Sequence, residues 1–311
     1  MKSILITAMM LWLSCTLFST LCTGQELLVQ RQGFDVYASD AAIANETAGV
    51  IETAVKQASA VFQDTVSERI SVIIVDNRDQ FKQQARGSLP DWGVGAAIPA
   101  RQAIVVLSPR AVEYSQSFAE ILKHEWAHIA LRHKLGSAYL PRFIDEGFAM
   151  RFAGQWGTGY GLSLAKAELM GSLFPLESID RVNFFNASQA QIAYAQSYQA
   201  VSYFMSTYGE SSFRILIESL GEGLTLDRAF MAAVGADFAT FEREYRLHIK
   251  QNYSWFLIFS DMTFVFIALA LLIVLGFLLK KKQGKDTIKR WEEEEKYEST
   301  DFDYEEGDPW D

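Results

Sequence analysis

Residues 117–136 read Ser-Phe-Ala-Glu-Ile-Leu-Lys-His-Glu-Trp-Ala-His-Ile-Ala-Leu-Arg-His-Lys-Leu-Gly. Ser117 and Glu120 form an S-x-x-E capping box, which predicts a helix starting at Ser117. Apolar spacing through Ile121, Leu122, Ile129 and Leu131 carries that helix onward, and Gly136 is placed to end it. Inside it, His124-Glu125-Trp126-Ala127-His128 is an H-E-x-x-H sequence. Residues four apart differ by about 40° around a helix, so His124 and His128 share one face and can bind a single zinc ion. Glu125 projects beside them, as a candidate general base rather than a ligand.

A third ligand is needed, and two residues compete for the place. His133 would be the choice for a metzincin, but that pattern needs a glycine three residues after the second His and a His three beyond it. Here Leu131 stands in the glycine position and His133 falls one residue short. On a continuing helix His133 also points about 140° away from His128. Glu146 is the stronger candidate, lying in Leu140-Pro-Arg-Phe-Ile-Asp-Glu-Gly-Phe-Ala149 at the start of a second helix that can fold back on the first. A glutamate buried among Phe143, Ile144, Phe148 and Ala149 is costly unless a metal ion neutralises it. The alternative is a solvent-facing glutamate at a helix start.

Working outward, Phe34-Asp-Val-Tyr alternates like a short strand, and Ala41 to about Thr65 is helical through Ile43, Ile51, Val55 and Phe62. Ile70 to Val75 and Ala103 to Leu107 are apolar runs rich in β-branched residues, which predicts buried strands. Beyond about Gln189 the spacing is helical, punctuated by Gly209 and by Gly221-Glu-Gly223. An α+β domain follows, with a mixed α/β first half and a helical second half. No linker or repeat divides it.

These residues resemble the gluzincins, specifically peptidase MA-like proteins, in which H-E-x-x-H is followed by a Pro and an E-G-x-A segment. The likeness extends from about Gln32 to Lys250. It includes Trp92-Gly-Val-Gly-Ala-Ala upstream, and Tyr194-Ala-Gln-Ser-Tyr198, Tyr208-Gly209 and Phe241 to Tyr245 downstream. Phe143 stands where the family often has Trp, and Asp145 where it often has Asn. The resemblance implies a zincin-like, thermolysin-type fold and a Zn2+ ion held by His124, His128 and Glu146. It also implies a peptidase acting on peptide or protein substrates, with Glu125 catalytic. The oxyanion partner would come from the helical half, as Tyr194 or Tyr198, with Tyr194 preferred. The substrate would lie along a strand near Val94 to Ile98. A zinc-bearing ectodomain that only binds peptide or envelope partners is the competing reading. Retention of Glu125 favours the enzyme, because a structural zinc site needs no base.

The ends of this 311-residue chain differ from its middle. Residues 1–24 read as a signal peptide, with Lys2 ahead of an apolar stretch from Ile4 to Leu13; a retained signal anchor is the alternative. Both cysteines, Cys15 and Cys22, lie in that segment, so the exported domain, residues 25–254, would hold together without disulfides. Met262 to Leu279 carries no charge and would span about 27 Å as a helix, which predicts one transmembrane segment. Lys280-Lys281-Lys282 after it puts the C-terminus in the cytoplasm and the domain outside the cell membrane. Of the formal charge of −10, residues 283–311 supply −8, so 280–311 is expected to be an acidic disordered tail. No basic patch points to nucleic acid, and the domain is expected to be monomeric.

Overall fold

Ile70–Val75 and Ala103–Leu107 are apolar at every position except Ser71, and the reason is that both of their faces are covered. The computed structural model describes residues 25–85, 93–114, 116–253 and 262–296. The expected leader, Trp92 and the final residues of the tail therefore lie outside the described residues. The strands are β1 (Glu26–Arg31), β2 (Phe34–Ala38), β3 (Ile70–Val75), β4 (Gly95–Ile98) and β5 (Ala103–Leu107), in the sheet order β1-β2-β3-β5-β4. The two inner strands β3 and β5 run parallel, with Val72 opposite Ile104 and Ile74 opposite Val106. Antiparallel β1 and β4 close the two edges.

The helices of the same unit are α1 (Ala41–Phe62), α2 (Arg78–Ala85), α3 (Phe118–Leu135), α4 (Arg142–Ala153), α5 (Thr158–Leu169), α6 (Ala187–Gly221), α7 (Leu226–Val234) and α8 (Phe238–Tyr253). Alternation along the central strands sorts their side chains between two cores. Val72, Ile74, Ile104 and Val106 join a large core built with α1, α3 and α4. Ile73, Val75, Val105 and Leu107 face the other way, onto Phe81 and Ala85 of α2. Strands are interspersed with helices up to Leu107, and among the described residues only helices follow.

Helix α3 is held from several sides. It packs on α1, on α4 and on the edge strand β4. Trp126 is buried and meets Phe34 of β2 edge-on, ring centroids 6.4 Å apart. Helix α4 is held equally firmly, with Phe148 stacked on Phe213 at 5.2 Å and tilted against Phe62 at 5.3 Å. The long helix α6 lies across α4 and is broken at Gly209, whose φ of 86° interrupts the helical backbone.

The last part of the expected fold is corrected. Contact density divides the chain between Ser254 and Trp255, and the second unit contains helix α9 (Met262–Glu295). The charge-free run is not an element of its own, since α9 continues without interruption through Lys280-Lys281-Lys282 to Glu295. Among the described residues no helix is long and apolar enough to cross a membrane, so the single transmembrane helix expected from Met262 to Leu279 is not supported. The expected loss of structure at Lys280 is also wrong as far as Glu295. Charge composition reports on burial, whereas Lys and Glu are good helix formers and pairs such as Lys289 and Glu293 stand four residues apart.

A close contact fixes α4 against α6. A Cβ on Gly147 would sit 2.2 Å from the Ser197 carbonyl oxygen, so only glycine allows these backbones to approach. Gly147→Ala is expected to cost about 1–3 kcal/mol, as overpacking against backbone does. Denaturant unfolding of the variant checks this; an unchanged midpoint would mean the two helices are not in this contact.

Candidate metal centre

The caps of α3 set its register. The Glu120 N–H donates to Ser117 Oγ at 3.2 Å, and the Ser117 N–H donates to Glu120 Oε2 at 2.8 Å. Gly136 closes the other end with its N–H on Arg132 O. Pro141 is the N-cap of helix α4, whose first N–H, from Arg142, is accepted by Asp180 Oδ1 at 2.8 Å. Asp180 also accepts from the Tyr139 hydroxyl. These anchors, with the Gly147 contact, place residues 145 and 146 opposite the His124–His128 face.

His124, His128 and Glu146 converge, each offering one donor atom, with all three atoms within 4.8 Å of one another. The two Nε2 atoms lie 3.2 Å apart, and Glu146 Oε2 lies 3.6 Å from His124 Nε2. Donors around a tetrahedral ion with bonds of about 2.0–2.1 Å stand roughly 3.4 Å from each other, so the two spacings that involve His124 fit. The hydrogen bonds on the far side of each ring strengthen that fit. His124 Nδ1 lies 2.8 Å from Gln155 Oε1, and His128 Nδ1 lies 2.7 Å from Asp145 Oδ1. The Gln155 amide is oriented in turn by donating from Nε2 to Gln116 Oε1 at 2.8 Å. Both Nδ1 atoms therefore donate, which turns the two Nε2 atoms toward each other. Two imidazole nitrogens at that distance need a cation between them, either a proton carried by one ring or a metal ion.

Neighbouring charges set the protonation of this cluster. Burial by itself would depress His128, but the Asp145 carboxylate beside it lifts it to about 10, with help from Glu146 and Glu125. Burial would likewise raise Glu146, yet its contact with His124 and the charges of His128 and Arg142 bring it down to about 2. Glu146 is thus an anion in a buried position. Glu125 is pushed upward, mainly by burial and against the pull of the two histidines. Its carboxylate rests on the edge strand, where it accepts from the Ala97 backbone. A Cβ on Gly95 would lie 2.6 Å from Glu125 Oε1. Glycine at this strand position leaves room for the carboxylate.

The other residues singled out in the sequence fall in different places. His133 lies apart from the cluster, with Nδ1 2.9 Å from Glu68 Oε2 and Nε2 3.7 Å from Asp64 Oδ2. Tyr194 hydrogen-bonds to Arg142 and feels the charge of Glu146, and burial followed by that charge raises it to about 12. Tyr198 stacks on Trp156 with centroids 4.6 Å apart. Arg142 and Gln155 belong to the surroundings of the site and have no role in the sequence reading, while Gly95 lies in the Val94 to Ile98 stretch expected to line the substrate. Asp145 had been noted only as a departure from a family pattern. Its adjacency to Glu146 was the available signal, whereas Gln155 meets His124 across 31 residues of chain and leaves no local trace.

A family model described as the peptidase MA superfamily matches residues 32–251. No curated protein matches the chain closely enough to serve as a relative. Since Asp145 fixes the ring of His128, Asp145→Ala is expected to weaken zinc binding by about 10–100-fold with little change in fold. His133→Ala should leave zinc binding unchanged. Competition with a chelating dye measures both, and equal losses in the two variants would dissolve the distinction between them.

Proposed function

The chain belongs to the peptidase MA superfamily, and from that premise we propose that it is a zinc-dependent peptidase using His124, His128 and Glu146 as ligands and Glu125 as general base. One observation carries the reading: three donor atoms converge within 4.8 Å of one another while the carboxylate of Glu125 lies beside them against the edge strand. Zinc at such a site acidifies water and polarises a carbonyl.

The residues of the chain divide the remaining work. Glu125 takes a proton from the attacking water and returns it to the leaving amine. Its raised affinity for protons suits that exchange, since a carboxylate at its ordinary value holds a proton too weakly to deliver it near neutral pH. Peptide substrate lies extended against β4, which ends the sheet and has no further strand on its outer side among the described residues. Backbone pairing there brings a peptide carbonyl next to Glu125. Tyr194 is proposed to donate to the oxyanion; its hydroxyl stays protonated because burial and the Glu146 charge both oppose ionisation. The leader-like residues 1–24 support export of this domain, and the proposed substrates are accordingly peptides or proteins outside the cytoplasm.

Two substitutions separate chemistry from structure. Glu125→Gln keeps size and hydrogen bonding while removing the base, and turnover should fall by at least about 10²–10⁴-fold with zinc content unchanged. Gly95→Ala intrudes on the same carboxylate from the strand side. Because the atom it meets ends a flexible side chain, stability should change by less than about 1 kcal/mol while turnover drops. A diverse peptide library incubated with the zinc-loaded protein, with cleavage followed by mass spectrometry, supplies the assay. Full activity in Glu125→Gln with zinc confirmed would refute the mechanism.

A further inference from the structure

We propose that Arg142 is a positioning residue for Glu146, holding one carboxylate oxygen so that only the other is free for the metal. The inference rests on the metal-site reading above and adds how the carboxylate is presented. Arg142 stands one helical turn before Glu146 on α4, and its Nη2 lies 3.1 Å from Glu146 Oε1. The opposite oxygen, Oε2, is the one that approaches His124 Nε2. The two oxygens are thus divided, one toward a guanidinium and one toward the imidazole pair.

Arg142 is itself anchored. Its backbone N–H is fixed by Asp180, and its side chain also hydrogen-bonds to Tyr194. Its Nε is buried and has no partner, so the polar commitments of the guanidinium are made through its terminal nitrogens. Each converging donor therefore has its own outer partner of distinct charge. A neutral amide from Gln155 serves His124, a carboxylate from Asp145 serves His128, and a cation from Arg142 serves Glu146. A carboxylate with both oxygens free can chelate an ion and fill the position that a water or substrate oxygen needs. Engaging Oε1 with a cation opposes this and keeps the site at three protein donor atoms. Arg142 also reaches from the ligand to Tyr194, so one side chain sets the placement of both.

The test uses the full chain loaded with zinc or with cobalt(II), whose visible absorption is intense at four-coordination and weak at higher coordination. X-ray absorption of the zinc-loaded wild-type protein should give one carboxylate oxygen on the ion; two would overturn the proposal. In Arg142→Gln the cobalt absorption should weaken as Oε1 joins the ion, and turnover should fall about 10–100-fold. Arg142→Lys, which retains the charge, should restore the wild-type spectrum. A wild-type spectrum in Arg142→Gln would overturn the inference and leave the metal site standing. A wild-type protein that takes up neither ion would overturn the metal site itself, and the inference with it.

Discussion

Two imidazole nitrogens facing each other at 3.2 Å inside an apolar helix packing are the constraint on which the rest of this domain depends. Neither ring can turn away, because its other nitrogen is committed to Gln155 or to Asp145. The helix that bears the rings cannot shift, because Trp126, Leu122 and Ala130 are buried on its other sides. Much of the surrounding architecture follows from supplying partners to groups that would be expensive to bury alone. Asp180 meets the start of α4, Gly147 lets α4 approach α6, and Gly95 leaves room for Glu125. Stability and chemistry are therefore drawn from the same contacts.

The charges around the site form a balanced set rather than an acidic pocket. Glu125, Glu146 and Asp145 bring negative charge, and Arg142 together with the polarised histidines offsets it. Glu125 and Glu146 are both buried carboxylates, yet burial raises the first while ion pairing holds the second down. Two identical functional groups on neighbouring helices are thereby set for different tasks. The difference lies in what each one touches: a strand edge for Glu125, a histidine and an arginine for Glu146.

Much of this was legible in residues 70–75, 103–107 and 117–149 because the signals there are local. The capping box, Gly136 and the strand runs at Ile70–Val75 and Ala103–Leu107 act through neighbours in sequence, and each element occurs where its pattern predicts. Glu146 was reachable by a burial argument, since an acidic residue amid Phe143, Ile144 and Phe148 needs a compensating partner. Gln155 and the pairing of Arg142 with Tyr194 were not reachable. Such contacts arise where distant segments meet, and a polar residue in a loop or a helix start has many uses. The run at Met262–Leu279 misled for the opposite reason. Its apolarity was read in isolation, whereas the helix that contains it extends through sixteen further residues from Lys280 to Glu295.

The edge strand beside Glu125 has only four residues, Gly95 to Ile98. At roughly 3.3 Å per residue it is about 13 Å long, the span of a tetrapeptide. The proposed main-chain pairing along so short a ruler would grip little of a polypeptide and read no side chains by itself. For a peptide bound as proposed, discrimination among sequences would have to come from contacts beyond the strand, and a folded protein would have to offer a locally extended stretch before it could pair there. Chains that are unfolded, tethered by a loop or already nicked would meet that requirement most readily.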